Sequence, residues 1–330
     1  MNHRARLESC IAADRLDRPP VALWRHFPVD DQSPGNLAAA TVDFQKAYDF
    51  DLVKVTPASS FCVKDWGVDD EWRGATEGTR DYKIRAIREI EDWSKLTALN
   101  PRKGCLGGQL ECLQMIVDGL DPDVPVLQTI FSPLSQAKNL VGKEKLLVHL
   151  RQNPDALHAG LRSITESTRS FIQAAVQTGI SGVFYAIQHA QLGLMSEAEY
   201  SEFGKAYDLQ ILEATSNLWL NILHLHGEDV MFDLVADYPV QVINWHDRDT
   251  EPSLQAGKRR FSGTVCGGLQ REHTIVLGTP TQVIAEAQDA YQATEGKRFI
   301  LGTGCVVPVI APRANIMAAR QSVDSMVSIS

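Results

Sequence analysis

In the run Leu220-Asn221-Ile222-Leu223-His224-Leu225-His226-Gly227, an apolar segment carries two histidines two residues apart and then stops at a glycine. Such a run reads as a buried strand ending in a turn. Residues two apart on a strand face the same way, so His224 and His226 can reach one point. The same grammar returns in Leu301-Gly302-Thr303-Gly304-Cys305, where an apolar strand gives way to a glycine-broken loop bearing a thiol. Two imidazoles and a thiolate make an open zinc site, with a fourth position for a further side chain, water or substrate. The other reading is a buried polar cluster whose histidines bond backbone carbonyls. His-x-His is too short a string to separate the two.

Apolar, β-rich runs recur at residues 21–24, 52–55, 124–131, 182–187, 218–223, 240–244, 261–265 and 298–302. Between them lie amphipathic stretches such as 156–175 and 281–293, the second started by Thr279-Pro280-Thr281. Eight βα alternations predict an α/β protein with a parallel sheet, and eight closing on themselves make a (β/α)8 TIM barrel. A doubly wound open sheet competes, but no Gly-x-Gly-x-x-Gly turn follows the first strand. No linker rich in Pro, Gly or Ser divides the chain, so residues 1–330 read as a single domain. Residues 60–123 form an elaborated loop between the second and third strands, aromatic at first and then glycine-rich. They read as a lid or wall over the barrel mouth, or as a decorative insertion.

The polar residues fall just after strands, where a barrel gathers its active site. Arg25 and His26 follow the first strand. Asp51 and Lys54 lie in or beside the second, on opposite faces. Ser132 follows the third, Gln188 and His189 the fourth, His246 and Asp247 the sixth, and Cys266 the seventh. Arg25 reads as a substrate anchor for an anionic group or as an ion-pair partner of Asp30 or Asp31. His26 reads as an acid–base or substrate group, or as structural. Asp51 is costly to bury unless paired or used. Gln188 and His189 are candidates to contact substrate, and Cys266 is more simply a small core residue. His246 is a candidate fourth metal ligand, with Asp247 placed to orient an imidazole.

Composition sets the outer bounds. A hydrophobic fraction of 44% and a charged fraction of 22% are those of a soluble globular protein. The net charge of −9 disfavours nucleic acid and anionic membrane surfaces as partners. No apolar run reaches the roughly 20 residues that span a bilayer, and the first residues lack the apolar core of a signal peptide. The scattered cysteines 10, 62, 105, 112, 266 and 305 form no disulfide framework. The expectation is a cytoplasmic protein with reduced thiols.

Taken with Ile130-Phe131-Ser132-Pro133-Leu134, His224-Leu225-His226-Gly227 and Gly304-Cys305-Val306-Val307-Pro308, the chain resembles the uroporphyrinogen decarboxylase superfamily of (β/α)8 barrels. That superfamily includes corrinoid:thiol methyltransferases and, more distantly, cobalamin-independent methionine synthase. The resemblance runs from Arg18-Pro19-Pro20-Val21 to Pro312-Arg313-Ala314-Asn315-Ile316. In motif it is nearest the zinc-dependent methyltransferases, whose H-x-C-G precedes a distant G-C-x-x-P; here His226 stands where that pattern has cysteine. The resemblance to the methionine synthase branch places a glutamate near His246. Against the decarboxylase pattern, Arg25 matches its first arginine and Asp51 its aspartate. Val29 replaces its second arginine, the tyrosine is lost near Asn139, and Gln188 and Thr303 replace its serine and histidine. The resemblance therefore implies methyl transfer to a small thiol at a Zn2+ site of His224, His226, Cys305 and His246. The methyl donor is a corrinoid carried by a partner protein, a folate or a small methylated compound. On this reading Asp51, Gln188 and His189 act in catalysis, and Arg25, His26 and Ser132 bind substrate. The alternatives are a decarboxylase or lyase acting on another carboxylated substrate, or a non-catalytic barrel that binds a tetrapyrrole or corrinoid. A homodimer is implied by the resemblance alone.

Overall fold

The computed structural model describes residues 1–326. Its strands are β1 (Val53–Val55), β2 (Asp69–Glu71), β3 (Asp81–Ile84), β4 (Val126–Phe131), β5 (Gly182–Ile187), β6 (Ile222–Leu225), β7 (Val242–Trp245), β8 (Thr264–Leu269) and β9 (Phe299–Thr303). Seven of them form one curled sheet in the order β1-β4-β5-β6-β7-β8-β9, every pair parallel, with helices in the crossovers. The strands β2 and β3 pair with each other as an antiparallel hairpin.

The strand expected at 21–24 is reduced to one bridge, Val21 to Leu301. Pro19 and Pro20 remove two backbone donors immediately before it, which keeps the ladder short. The segment still bonds to both edges of the sheet. The Ala22 N–H donates to Leu301 O at 2.9 Å, and the Asp51 N–H donates to Val21 O at 2.9 Å. Two other boundaries move. The strand expected at 218–223 begins only at Ile222, because Asn221 spends its side chain on the turn: its Oδ1 accepts from Val183 N and its Nδ2 donates to Thr215 O. The strand expected at 261–265 starts at Thr264 and runs through two glycines to Leu269, because Phe261 ends the helix Leu254–Arg260.

The pleat sorts the core into two layers. Ile222 and Val242 face inward with Phe184, Leu127 and Ile300, whereas Leu223, Leu225, Ile243 and Trp245 face outward against the helices. The helix His3–Ala12 closes the amino end of the inner layer with Leu7 and Cys10. Of the helices, Pro154–Val176 and Pro280–Thr294 contain the two predicted amphipathic stretches. The second is started by a capping box between Thr279 and Gln282. The long excursion holds the β2–β3 hairpin and the helix Gly104–Gly119, whose first turn is capped from a distance by the Asp65 carboxylate. Among the described residues no helix is long and apolar enough to cross a membrane.

Candidate metal centre

Strands β6 and β7 pair so that His224 lies opposite Asn244. The Asn244 amide nitrogen donates to two carbonyls, Cys266 O at 2.9 Å and Thr303 O at 3.1 Å. That leaves its Oδ1 directed at His224, 2.7 Å from Nδ1. An amide oxygen only accepts, so Nδ1 carries the imidazole proton and Nε2 keeps a free lone pair. His226 continues the same inward face two residues on, past the end of β6. Its Nδ1 lies 3.7 Å from Cys305 Sγ. His246, just past β7, has a buried Nε2 with no hydrogen-bond partner.

The donor atoms of His224, His226, His246 and Cys305 all lie within 4.8 Å of one another, a group able to hold a metal ion. Three imidazoles and a thiolate form the nitrogen–sulfur set that zinc takes, and the orphaned His246 Nε2 is the kind of atom a cation satisfies. Burial opposes ionisation of Cys305, but the surrounding imidazoles, His224 first and then His226 and His246, bring the thiol well below its ordinary pKa. Burial likewise pulls His226 down, and the Cys305 sulfur more than restores it. The loop that carries Cys305 can lie against the end of β7 because residue 304 has no side chain. A Cβ on Gly304 would sit 2.6 Å from His246 Cα and 2.8 Å from Trp245 O.

Three of the four, His224, His226 and Cys305, line a cavity of about 180 Å³. His26 lines it, buried, with an unpartnered Nδ1 and a pKa pushed down to about 3 by burial and then by Lys54. Gln188 lines it too, its Oε1 accepting from Lys138 Nζ at 3.0 Å. The excursion supplies Glu77, Thr79, Arg80 and Tyr82 to the same wall. Glu77 is ion-paired to Arg271, and Arg80 to Asp31 and Asp70.

Four residues expected at the site lie elsewhere. Asp51 precedes β1, at the amino end of the sheet, and is fully buried among Arg6, Arg18, His3 and the Val21 N–H. It is an ion-pair hub and does not line the cavity. Ser132 caps the helix Pro133–Val141, accepting from Ser135 N. Arg25 does not line the cavity: its guanidinium lies 5.5 Å over the Phe27 ring and its Nε donates to His26 O. His189 is buried and lines an adjoining groove that shares Lys138, Gln188 and His226 with the cavity, but not the cavity itself.

The structure adds two residues that sequence reasoning passes over, Asn244 and Lys138, and gives Lys54, noted there only for its face of the strand, a place in the cavity wall. Asn244 is a polar residue inside an apolar strand, and Lys54 is a lysine in the middle of another. Both are departures from strand preference that the sequence displays. Lys138, on the helix Pro133–Val141, carries no such signal.

A curled parallel sheet with a histidine–cysteine cluster at the carboxyl ends of its strands is the arrangement in which α/β barrel enzymes place their sites. Residues 4–326 match the uroporphyrinogen decarboxylase (URO-D) family, and the chain belongs to it. It is 23% identical over 212 residues to the methylcobamide:CoM methyltransferase MtaA of Methanosarcina barkeri, a match covering 63% of this chain and 60% of that protein. It is 25% identical over 252 residues to the uroporphyrinogen decarboxylase of Ectopseudomonas mendocina, covering 72% and 68%. The fold matches that of a methyltransferase from Methanosarcina mazei with a TM-score of 0.86 over 98% of both chains, at 18% identity.

Proposed function

We propose that this protein is a zinc-dependent methyltransferase that moves a methyl group from a corrinoid, carried by a partner protein, to a small thiol. The observation that carries the reading is the convergence of His224, His226, His246 and Cys305, three of which line the cavity. The methyltransferase relatives support it, because their names join a methylcobamide to coenzyme M, a thiol. We take the sheet, together with the Pro20–Trp24 segment bonded to both its edges, as a (β/α)8 barrel of one domain. The metal ligands then sit at its mouth.

Bound zinc would supply a Lewis acid that promotes ionisation of the acceptor thiol near neutral pH. The chain's own part is positional. Asn244 keeps the His224 proton on Nδ1, and Gly304 lets Cys305 close against His246. His26, neutral because it is buried, offers a ring N–H to substrate without adding charge. The cavity is smaller than the roughly 300 Å³ at which drug-sized ligand pockets begin. It suits a small acceptor, with the corrinoid presented from outside.

Elemental analysis of tag-free protein tests the reading. Near-stoichiometric zinc, lost in Cys305→Ala, supports it and justifies assaying thiols with methylcobalamin. No zinc after supplementation overturns it. Decarboxylation of a small acid is the second reading, favoured by the unpaired cavity lysines, and carbon dioxide release without zinc would establish it.

A further inference from the structure

Lys138 and Lys143 line the open groove of about 340 Å³ that adjoins the cavity. Arg85 stands behind them, so near the start of the next helix that a Cβ on Gly142 would sit 3.4 Å from its Nε. These three cations act on one another: burial first, then Arg85 and also Lys143, push the Lys138 ammonium down to a pKa of about 8. Among the described residues none of the three has a carboxylate within 4.0 Å, although Glu228 lines the same groove. Arg85 donates to the Lys138 and Asn139 carbonyls at 3.1 and 2.9 Å, and Lys138 Nζ to Gln188 Oε1. In a chain of net charge −9, three like charges left together without a counter-ion repel one another, a cost that a bound anion removes.

Two further donors converge on the groove. Lys143 opens the helix Lys143–Gln152, whose N-cap, Gly142, has no side chain to satisfy the N–H groups of the first turn. His189 is 3% exposed, and its Nδ1 bonds to nothing. Burial, then Lys138 and Lys143, push its pKa down to about 3, so the ring is neutral and keeps one proton to donate. An uncapped helix start, two ammoniums and a buried imidazole around one recess are the parts of an anion site.

We propose that this groove binds a phosphoryl group, as free phosphate or on a small phosphate monoester. Charge selects the class. A carboxylate or sulfonate brings a single negative charge, whereas a phosphate monoester brings about −1.5 to −2 at neutral pH and three strong acceptor oxygens. That charge matches the two groove ammoniums, and the oxygens are enough to reach the helix N–H groups as well. Lys138, Gln188 and His226 belong to both compartments, so a ligand anchored here by its phosphate abuts the metal site. The inference goes beyond the methyl-transfer reading and requires no metal.

Calorimetric titration of the full chain as purified, at constant ionic strength, compares inorganic phosphate, phenyl phosphate and acetate. Saturable binding of a phosphate compound is expected, with acetate clearly weaker. Lys143→Met and Lys138→Met should each weaken phosphate binding about tenfold, the scale of one charge-assisted hydrogen bond. Lys143 is exposed, so its variant probes the groove without disturbing the core. Lys46→Met removes an equal charge from an exposed position on the helix Pro34–Tyr48 and should leave binding unchanged. Phosphate oxygens also ligate zinc, so Cys305→Ala is titrated alongside, and binding retained there supports the groove. Tighter binding of phenyl phosphate than of inorganic phosphate identifies the ligand as an ester, and the reverse identifies free phosphate. Four results overturn the proposal: no saturable phosphate binding, acetate bound as tightly as phosphate, binding lost in Cys305→Ala but kept in both groove-lysine variants, or equal weakening in Lys46→Met and Lys143→Met. Zinc content is measured separately on the same samples, so failure of the groove and failure of the metal reading are told apart.

Discussion

Asn244 Oδ1 accepts the His224 Nδ1 proton at 2.7 Å, and Asn244 is itself held by donating to Cys266 O on β8 and Thr303 O on β9. A residue that contributes no metal donor thus decides which nitrogen of His224 faces the cluster. Orienting partners of this kind are typically worth about 10–100-fold in metal affinity. Asn244→Ala is expected to weaken zinc binding by that factor in competition with a chromophoric chelator, with all four donors still present. Wild-type affinity in this variant would mean that β6 alone fixes the imidazole.

The Asp51 carboxylate gives a contrasting expectation. Burial works against its charge, but His3, Arg18 and Arg6 hold its pKa at about 2. Removing the charge leaves two buried guanidinium groups facing one another, a loss on the scale of about 3–5 kcal/mol. Asp51→Asn is therefore expected to lower the denaturant midpoint sharply, and the folded fraction should carry its full zinc complement. Because the native pKa lies below the ordinary 3.8, the wild-type advantage is present above pH 3.8 and is lost as pH falls towards 2. Loss of zinc or thiol affinity at unchanged stability would restore the catalytic role that the sequence pattern implies.

The contrast between these two residues shows what a sequence displays. Apolar runs broken by glycine carry the strand periodicity, so the parallel sheet and the meeting of His224, His226, His246 and Cys305 were legible. Asp51 was legible as unusual and as preceding the run 52–55, but its buried ion-pair partners were not. Its partners come from a helix some forty-five residues earlier, and no local pattern encodes that packing. Arg25 and Ser132 failed for a related reason. A loop position after a strand fixes neighbourhood, whereas the direction of a side chain is set by tertiary contacts such as the Phe27 ring and the Ser135 N–H. Lys138 was hidden on a helix whose register against the cavity only the folded chain defines.

Gly304 tests how closely the cysteine loop must approach. The atoms that a Cβ would meet, His246 Cα and Trp245 O, are backbone and have little room to yield. Gly304→Ala should displace Cys305 from the three histidines. Overpacking of this sort costs roughly 1–3 kcal/mol, so a lower melting temperature should accompany a faster loss of zinc to chelator. If zinc dissociates at the wild-type rate, the loop has slack and the cluster tolerates a wider approach.

Away from the site, Asp208 is fully buried and accepts hydroxyl protons from Tyr185 at 2.6 Å, Tyr200 at 2.5 Å and Tyr238 at 2.9 Å. Burial raises its pKa to about 6, and the three hydroxyls offset only part of that rise. The native state therefore binds this proton more tightly than the unfolded chain, whose carboxyl titrates near 3.8. The stabilisation from that proton is complete below pH 3.8 and disappears as pH rises through 6, at about 1.4 kcal/mol for each pH unit between the two. Asp208→Asn is uncharged at every pH and removes this dependence. Subtracting the variant's stability from that of wild type cancels the other titrating groups. The difference should fall between pH 4 and pH 6 and then stay level to pH 8. A difference that does not change with pH would mean that the three tyrosines hold the carboxylate ionised throughout.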